Sequence, residues 1–131
     1  MGLDCSHDAF SGAYSSFSRF RKVIVTLMDG SFPPHEDKSL DPNSWYWSNQ
    51  YSQETHPGLF VFLCHSDCDG EISPEDCKKI ADEMEALLPK IDEMGEGEGH
   101  IKRDGGYGEV ARRFIKGCRK AHKANEPLEF Y

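Results

Sequence analysis

The sequence predicts a compact, mainly α-helical single domain, and three segments carry the prediction. Residues 8–28 and 107–123 each repeat apolar side chains at helical spacing, so that one face of each helix would be buried. A third main helix is expected to begin at Ser73, where the residues match a helix-capping pattern. A chain of 131 residues has the usual length of one domain with one core, so we expect residues 1–131 to form a single unit.

The first of these segments, residues 8–28, has the clearest pattern. Its apolar stripe comprises Phe10, Ala13, Tyr14, Phe17, Phe20, Ile24, Leu27 and Met28. Serine, arginine and lysine residues occupy the opposite side, and Gly30 follows at a point where glycine commonly ends a helix. We therefore expect one continuous helix from about Asp8 to Met28.

Residues 31–57 are expected to form one long aromatic loop. Pro33, Pro34 and several asparagines rule out a long helix in this stretch. Loops of this length often have a function. The aromatic cluster that runs from Trp45 to Trp47 would either pack on the core or stack on a planar ligand, and packing is the more frequent role of clustered aromatic side chains.

A shorter apolar segment, residues 59–64, is the expected fourth helical element. Periodicity over so few residues does not separate a strand from a helix, and the capped helix that follows favours the helix. In that following helix Ser73 is the predicted N-cap, Pro74 the first helical residue and Asp76 the partner in a capping box. We expect this helix to stop at Pro89, because proline breaks the helical hydrogen-bond ladder.

The C-terminal part contains the last main helix and two flanking segments. Residues 95–100 are rich in glycine and glutamate, which predicts a flexible connector. Apolar residues in the last helix are expected to be buried from Tyr107 to Ala121. The tail, residues 126–131, ends on Phe130 and Tyr131, so we expect it to dock on the body of the domain.

Charge and composition narrow the possible functions. The net charge of −8 argues against a general nucleic-acid binder, and no apolar run approaches the roughly 20 residues of a membrane-spanning helix. The N-terminus shows no signal-peptide pattern, so a cytoplasmic protein is expected. Eight of the fifteen Lys and Arg residues lie in residues 102–123. This basic C-terminal helix predicts a solvated face or a protein-partner surface, and the loop with Trp45 and Trp47 is the alternative partner surface.

The strongest chemical pattern lies in residues 65–76, here called the acidic loop. Compared with the twelve-residue EF-hand loop, Asp67 and Asp69 occupy the third and fifth ligand positions and Gly70 the sharp turn. The other candidate ligands are the backbone carbonyl of Glu71, Ser73 at the ninth position and Asp76 at the twelfth. Because a hard cation needs converging oxygen atoms, the acidic loop predicts a site for a divalent cation such as Ca²⁺ or Mg²⁺.

Two departures from the EF-hand pattern weaken the case for calcium. His65 places a nitrogen at the first position, and Asp76 is one methylene shorter than the usual bidentate glutamate, which suits Mg²⁺ better. The alternative is structural. In that interpretation Asp67, Asp69 and Gly70 form a tight turn that leads into a capped helix, and it is the favoured one of the two.

A second constellation consists of cysteine and histidine side chains. Cys5, His7, His65 and Cys68 together have the composition that Zn²⁺ prefers, although no CxxC pair is present. The same four residues support a catalytic hypothesis, in which Cys5 or Cys68 is a nucleophile activated by a histidine. The chain has five cysteines, and this odd number predicts free thiols, small buried side chains or metal ligands before disulfides.

Four segments of the sequence resemble an uncharacterised family of small proteins from bacteria and their phages. They are residues 1–9 (MGLDCSHDA), 31–35 (SFPPH), 65–72 (HSDCDGEI) and 126–130 (EPLEF). This resemblance implies a bacterial or phage setting and no particular activity, and the resemblance to EF-hand proteins covers only the acidic loop and its flanks. We therefore expect a non-enzymatic ion-binding or interaction module built round His65 to Asp76, with a small enzyme or zinc protein as the alternative.

Overall fold

The computed structural model describes residues 2–27, 56–64, 70–97 and 99–131, and these are mainly helical, as the sequence predicts. In chain order the elements are β1 (Gly2–Cys5), a 3₁₀ helix (Ser6–Asp8), β2 (Phe10–Ala13), α1 (Tyr14–Leu27), α2 (Pro57–Cys64), β3 (Glu71–Ile72), α3 (Pro74–Asp92), α4 (His100–Arg103), α5 (Tyr107–Ala124) and β4 (Leu128–Glu129). The predicted aromatic loop with Trp45 and Trp47 lies outside the described residues. Within those ranges, no helix has the length and apolar character that a membrane crossing requires.

The predicted start of the first helix is wrong, because residues 8–13 are not α-helical. His7 and Asp8 have positive φ angles of 57° and 61°, and the chain turns back here so that β2 pairs antiparallel with β1. Phe10 is nevertheless buried, as the apolar stripe predicts, and it lies opposite Cys5 in this hairpin. Apolar spacing therefore identified Phe10, Phe17, Phe20 and Ile24 as buried, but not the strand that carries Phe10.

The C-terminal residues join the two strand pairs. Cys5 pairs with Phe130 in an antiparallel β-bridge of the backbone, and the Phe130 N–H donates to the Gly70 carbonyl at 2.9 Å. Asp4 and Tyr131 exchange two backbone hydrogen bonds of 2.8 and 2.9 Å. The strands therefore lie in the order β2, β1, the C-terminal segment (residues 128–131) and β3. The tail docks on the body of the domain, as expected.

Aromatic rings fill the core between this sheet and the helices. Phe17 of α1 lies at the centre, with ring centroids 4.9–6.3 Å from those of Phe10, Phe62, Phe114 and Phe130. Edge-to-face ring pairs contribute about 0.5–1.5 kcal/mol each beyond their burial. On the other side of the core, a Cβ atom on Gly117 would lie 2.4 Å from the Cβ atom of Ala9, so only glycine allows α5 to approach this segment.

Helix α3 begins as predicted but ends later. The Ser73 hydroxyl accepts the Asp76 N–H at 3.2 Å, which makes Ser73 the N-cap. The helix then continues through Pro89 to Asp92, so the expected stop at Pro89 is wrong. A proline inside a helix costs about 3 kcal/mol. Full burial of the Ile91 side chain offsets much of this cost, since such burial contributes about 1.5–3 kcal/mol.

The short apolar segment is a helix, α2, and a residue of α3 caps it. The two carboxylate oxygens of Glu83 accept the N–H groups of Gly58 and Leu59 at 2.9 and 3.1 Å. A Cβ atom on Gly58 would lie 2.5 Å from backbone atoms of Lys79 and Ile80, so α2 and α3 cross closely at this glycine. Glu83 thus satisfies donors that a local N-cap side chain would otherwise satisfy.

Candidate functional site

A helix precedes the acidic loop and another helix begins at its end, which is a helix–loop–helix arrangement. Helix α2 ends at Cys64, directly before the first loop residue, and α3 begins at Pro74, the tenth. An EF-hand also places its calcium loop between two helices, so the flanks agree with that arrangement. The structure describes the second part of the loop, from Gly70 to Asp76. Four candidate site residues lie outside the described ranges: His65, Asp67, Cys68 and Asp69.

The described part of the acidic loop contains a glycine with a positive φ angle, a short strand and a helix cap. Gly70 has a φ angle of 89°, in the region that favours glycine. Glu71 is exposed and Ile72 is buried in β3, which pairs with β4. The Ser73 hydroxyl accepts the N–H of the partly exposed Asp76. The Ser73 cap is therefore present, whereas the tight turn over Asp67 and Asp69 and cation binding by the loop both stay predictions.

Cys5 has unfavourable surroundings for an activated nucleophile. Its side chain is buried, and this burial raises the thiol pKa to about 12 despite the opposing effect of the Arg21 guanidinium. The thiol is therefore protonated at neutral pH, whereas a cysteine nucleophile acts as the thiolate. His7 follows in the 3₁₀ helix, and its Nε2 lies 3.8 Å from Oε1 of Glu126. These contacts argue against catalysis by Cys5.

The C-terminal segment, residues 128–131, lies between Cys5 and Gly70, which is the first described residue of the acidic loop. Cys5 and Gly70 lie on opposite sides of Phe130 in the sheet. Neighbouring strands are separated by about 4.8 Å, so Cys5 and Gly70 lie about 10 Å apart. No group of three or more His, Cys, Asp or Glu side chains in the described ranges is arranged to hold a metal ion, and His65 and Cys68 are not part of those ranges.

A second candidate site, here called the basic groove, runs between α3 and α5. Its lining residues are Glu85, Leu88, Arg112, Ile115, Lys116, Arg119, Lys120 and Lys123. All five cations come from α5, while Leu88 and Ile115 provide an apolar floor. The groove is therefore positively charged on a chain whose net charge is −8.

Carboxylates of α3 hold the two arginines of the basic groove. Arg112 donates to both carboxylate oxygens of Asp92, at 2.9 and 2.7 Å, and these bonds lower the pKa of Asp92. Arg119 contacts both carboxylate oxygens of Glu85 and lowers the pKa of that group in the same way. Such two-point contacts have a fixed geometry, so they orient α5 against α3.

The three lysines of the basic groove differ from its arginines. Lys116, Lys120 and Lys123 are exposed, and in the described part of the chain none of them forms an ion pair or a side-chain hydrogen bond. Spacings of four and three residues place them on one face of α5. The helix dipole favours cations near the C-terminus of α5, which explains part of this charge. All three ammonium groups remain accessible to an anionic ligand.

The sequence identified the basic last helix but not the groove. The opposite wall, with Glu85 and Leu88, reaches α5 only through tertiary packing. The sequence feature that could have indicated the groove is the helical spacing of Lys116, Lys120 and Lys123, which puts three cations on one face of α5.

Comparisons with known proteins give no relative. The chain matches no family model, no curated protein and no solved structure. Both resemblances, to small bacterial and phage proteins and to the EF-hand loop, therefore stay predictions.

Proposed function

We propose that this protein is a non-enzymatic interaction module that binds an acidic segment of a partner protein in the basic groove. The stripe formed by Lys116, Lys120 and Lys123 carries this proposal. Glu85 also lines the groove, but Arg119 holds its carboxylate, and no ion pair to the three lysines is present among the described residues. Complementary charge orients a partner and speeds its encounter. The acidic remainder of the surface repels an acidic partner from other orientations, which concentrates binding at the groove.

The groove also defines the chemistry of its ligand. Lys116 and Lys120 are one helical turn apart, which corresponds to about 6 Å along the axis. Carboxylates four residues apart on a partner helix have the same spacing, as do carboxylates two residues apart on an extended strand. Leu88 and Ile115 add an apolar surface, so an acidic segment with one apolar side chain is the best match.

A charge-reversal experiment tests this proposal. The variant Lys116→Glu/Lys120→Glu/Lys123→Glu reverses the stripe and keeps both arginine contacts. We expect it to bind a fluorescein-labelled peptide of glutamates with one central leucine about tenfold more weakly than the wild type, measured by fluorescence anisotropy. This magnitude follows from three exposed charge pairs at about 0.5 kcal/mol each. Binding by the wild type should also weaken as salt is added, because salt screens exposed charges.

A matched control separates the groove from net charge. The variant Lys79→Glu/Lys90→Glu/Lys102→Glu makes the same change in net charge at three exposed lysines that do not line the groove. It should keep most of the wild-type affinity. Equal losses in the two triple variants would contradict the proposal, as would a wild-type protein that does not bind the acidic peptide. If a single-stranded oligonucleotide bound with the same affinity as the peptide, the groove would be a general anion site and not a site for acidic protein segments.

Cation binding by the acidic loop is a second candidate function, favoured by the helix–loop–helix frame around it. A cation that binds only the folded protein raises its melting temperature, and the rise continues with the logarithm of the ion concentration once that concentration exceeds the Kd. We expect Ca²⁺ or Mg²⁺ to raise the melting temperature of the wild type and not that of Asp67→Asn/Asp69→Asn. A parallel titration with Zn²⁺ tests the zinc alternative. If none of the three ions shifts the wild type, the loop is a structural turn and cap.

A further inference from the structure

The basic groove is acidic at one of its ends. Helices α3 and α5 run antiparallel, since Asp92 at the end of α3 contacts Arg112 in the first half of α5. At the opposite end, the Pro74 carbonyl lies 3.1 Å from Nδ1 of His122. Residues 93–96, here called the acidic corner, follow Asp92 directly and therefore lie beside the Arg112 end of the groove. The lysines of the groove extend from there towards its other end.

The acidic corner has the chemistry that the groove favours in a ligand. Glu93 and Glu96 are exposed, and neither forms an ion pair with a described residue. Met94 lies between them with a relative exposure of 40%, and it is one of two large apolar side chains that are exposed in the described ranges. The groove is best matched by an acidic segment with one apolar side chain, and the acidic corner is a segment of this kind.

Backbone hydrogen bonds hold the acidic corner away from the far end of the groove in its own chain. The Tyr107 N–H donates to the Gly95 carbonyl at 3.2 Å, and the Gly95 N–H donates to the Asp92 carbonyl at 3.4 Å. These bonds fix the corner at the start of α5. The axial distance from Arg112 to Lys123 is about 16 Å, since a helix rises about 1.5 Å per residue. The far end of the groove is therefore open to the corner of another molecule.

We propose that two copies of this chain form a two-fold symmetric dimer, in which the acidic corner of each copy lies on the lysine stripe of the other. The lysine stripe consists of Lys116, Lys120 and Lys123. A two-fold axis across the groove reverses its direction in the second copy, so each acidic end faces a basic end. Leu88 and Ile115 lie between the two ends and meet their counterparts near the axis. This inference rests on the proposed function, because it names a second copy of the chain as the partner of the same groove.

The dimer is expected to be weak. Its charge pairs are exposed, and exposed pairs each add little to affinity. The net charge of −8 opposes the approach of two copies, although salt screens this repulsion beyond about 8 Å at physiological ionic strength. We expect a dissociation constant on the order of 100 µM, as is usual for small and polar interfaces.

Sedimentation equilibrium of charge variants tests the dimer. At physiological salt and concentrations up to about 1 mM, the wild type should approach twice the mass of the chain. The stripe reversal, Lys116→Glu/Lys120→Glu/Lys123→Glu, and the corner reversal, Glu93→Lys/Glu96→Lys, should each raise the dissociation constant about tenfold or more. The corner reversal makes the chain less negative, so general repulsion alone predicts tighter association for this variant. A weaker dimer in both variants therefore supports the specific contact.

An equimolar mixture of the two reversed variants provides the matched control. One pair of ends in the mixed dimer is native, and in the other pair both charges are reversed, so complementarity returns at both ends. We expect the mixture to dimerise about as strongly as the wild type. Carbodiimide, which joins carboxylates to amines in contact, should link Glu93 or Glu96 to Lys120 or Lys123. In a mixture of isotope-labelled and unlabelled wild type, these links should join chains of different label.

The outcomes separate the dimer from the proposed function. A wild type that stays monomeric while its groove binds the labelled acidic peptide would overturn the dimer and leave the proposed function intact. A wild type that neither dimerises nor binds the peptide would overturn both. Masses that grow beyond twice that of the chain would also overturn the dimer, since a closed two-fold pair does not add a third copy. A mixture of the reversed variants that stays monomeric would do the same.

Discussion

Replacing Glu83 with alanine removes the side chain that caps α2 from a neighbouring helix. Both carboxylate oxygens accept backbone N–H groups of α2, from Gly58 at 2.9 Å and from Leu59 at 3.1 Å. A hydrogen bond to a charged group contributes about 1.5–3 kcal/mol, and a carboxylate at a helix N-terminus adds about 0.3–1 kcal/mol. Because this cap is only part-buried, water replaces some of what is lost. We therefore expect the free energy of unfolding to fall by about 2–3 kcal/mol.

Urea denaturation followed by circular dichroism measures this change. The midpoint should fall while the m-value stays constant, which shows that stability and not compactness has changed. Glu83→Gln keeps one carbonyl acceptor and loses the charge, so its cost should be smaller, about 1 kcal/mol. Glu96→Ala removes an exposed glutamate outside any helix and should stay within about 0.5 kcal/mol of the wild type.

The comparison of these variants decides whether the Glu83 cap stabilises α2. If Glu83→Ala costs no more than Glu96→Ala, the cap does not stabilise α2 and the reasoning is refuted. If Glu83→Gln costs as much as Glu83→Ala, the charge and not the hydrogen bonds holds the two helices together.

Three further predictions concern the packing, the cap and the pH dependence of the domain. Gly117→Ala should lower stability by about 1–3 kcal/mol in thermal denaturation, because its Cβ would overlap Ala9, and an unchanged melting temperature would contradict this. Ser73→Ala should cost about 1 kcal/mol in urea denaturation through loss of the α3 cap, and an unchanged midpoint would show that the cap adds nothing. The Arg112 contact lowers the pKa of Asp92 in the folded state, so its stabilising effect is present above the ordinary aspartate pKa of about 3.9 and is lost as the pH falls through the lowered pKa. In urea denaturation at a series of acidic pH values, Arg112→Met should therefore lose stability less steeply than the wild type, and parallel curves would exclude this linkage.

The sequence predicts a helix well where the helix cap or the apolar face depends on residues that are close together in the chain. The Ser73 cap, the apolar face of α5 and the stripe of α1 all depend on residues a few positions apart, and each of these helices is present. The end of α3 was not predictable in this way. Proline is locally unfavourable in a helix, and the contacts that favour continuation past Pro89 are tertiary: the burial of Ile91 in the core and the Arg112 hydrogen bonds to Asp92.

The strands and the basic groove depend on contacts between distant parts of the chain. Pairing of β1 with the C-terminal residues joins Asp4 to Tyr131, and no pattern in either segment indicates the other. The groove similarly needs α3 to supply its second wall. Sequence spacing placed the basic residues on one helix. It could not show that Arg112 and Arg119 are paired with α3 carboxylates, whereas the three lysines of the groove form no ion pair with any described residue.

The C-terminal segment, residues 128–131, contacts both the acidic loop and the N-terminal hairpin. The N–H of Phe130 donates to the carbonyl of Gly70 in the acidic loop, and Tyr131 pairs with Asp4 of β1. These contacts form on a single segment of backbone, so they are gained and lost together when the strand docks or separates. A cation in the acidic loop would therefore also hold the C-terminal segment against β1, since both depend on the same docked state.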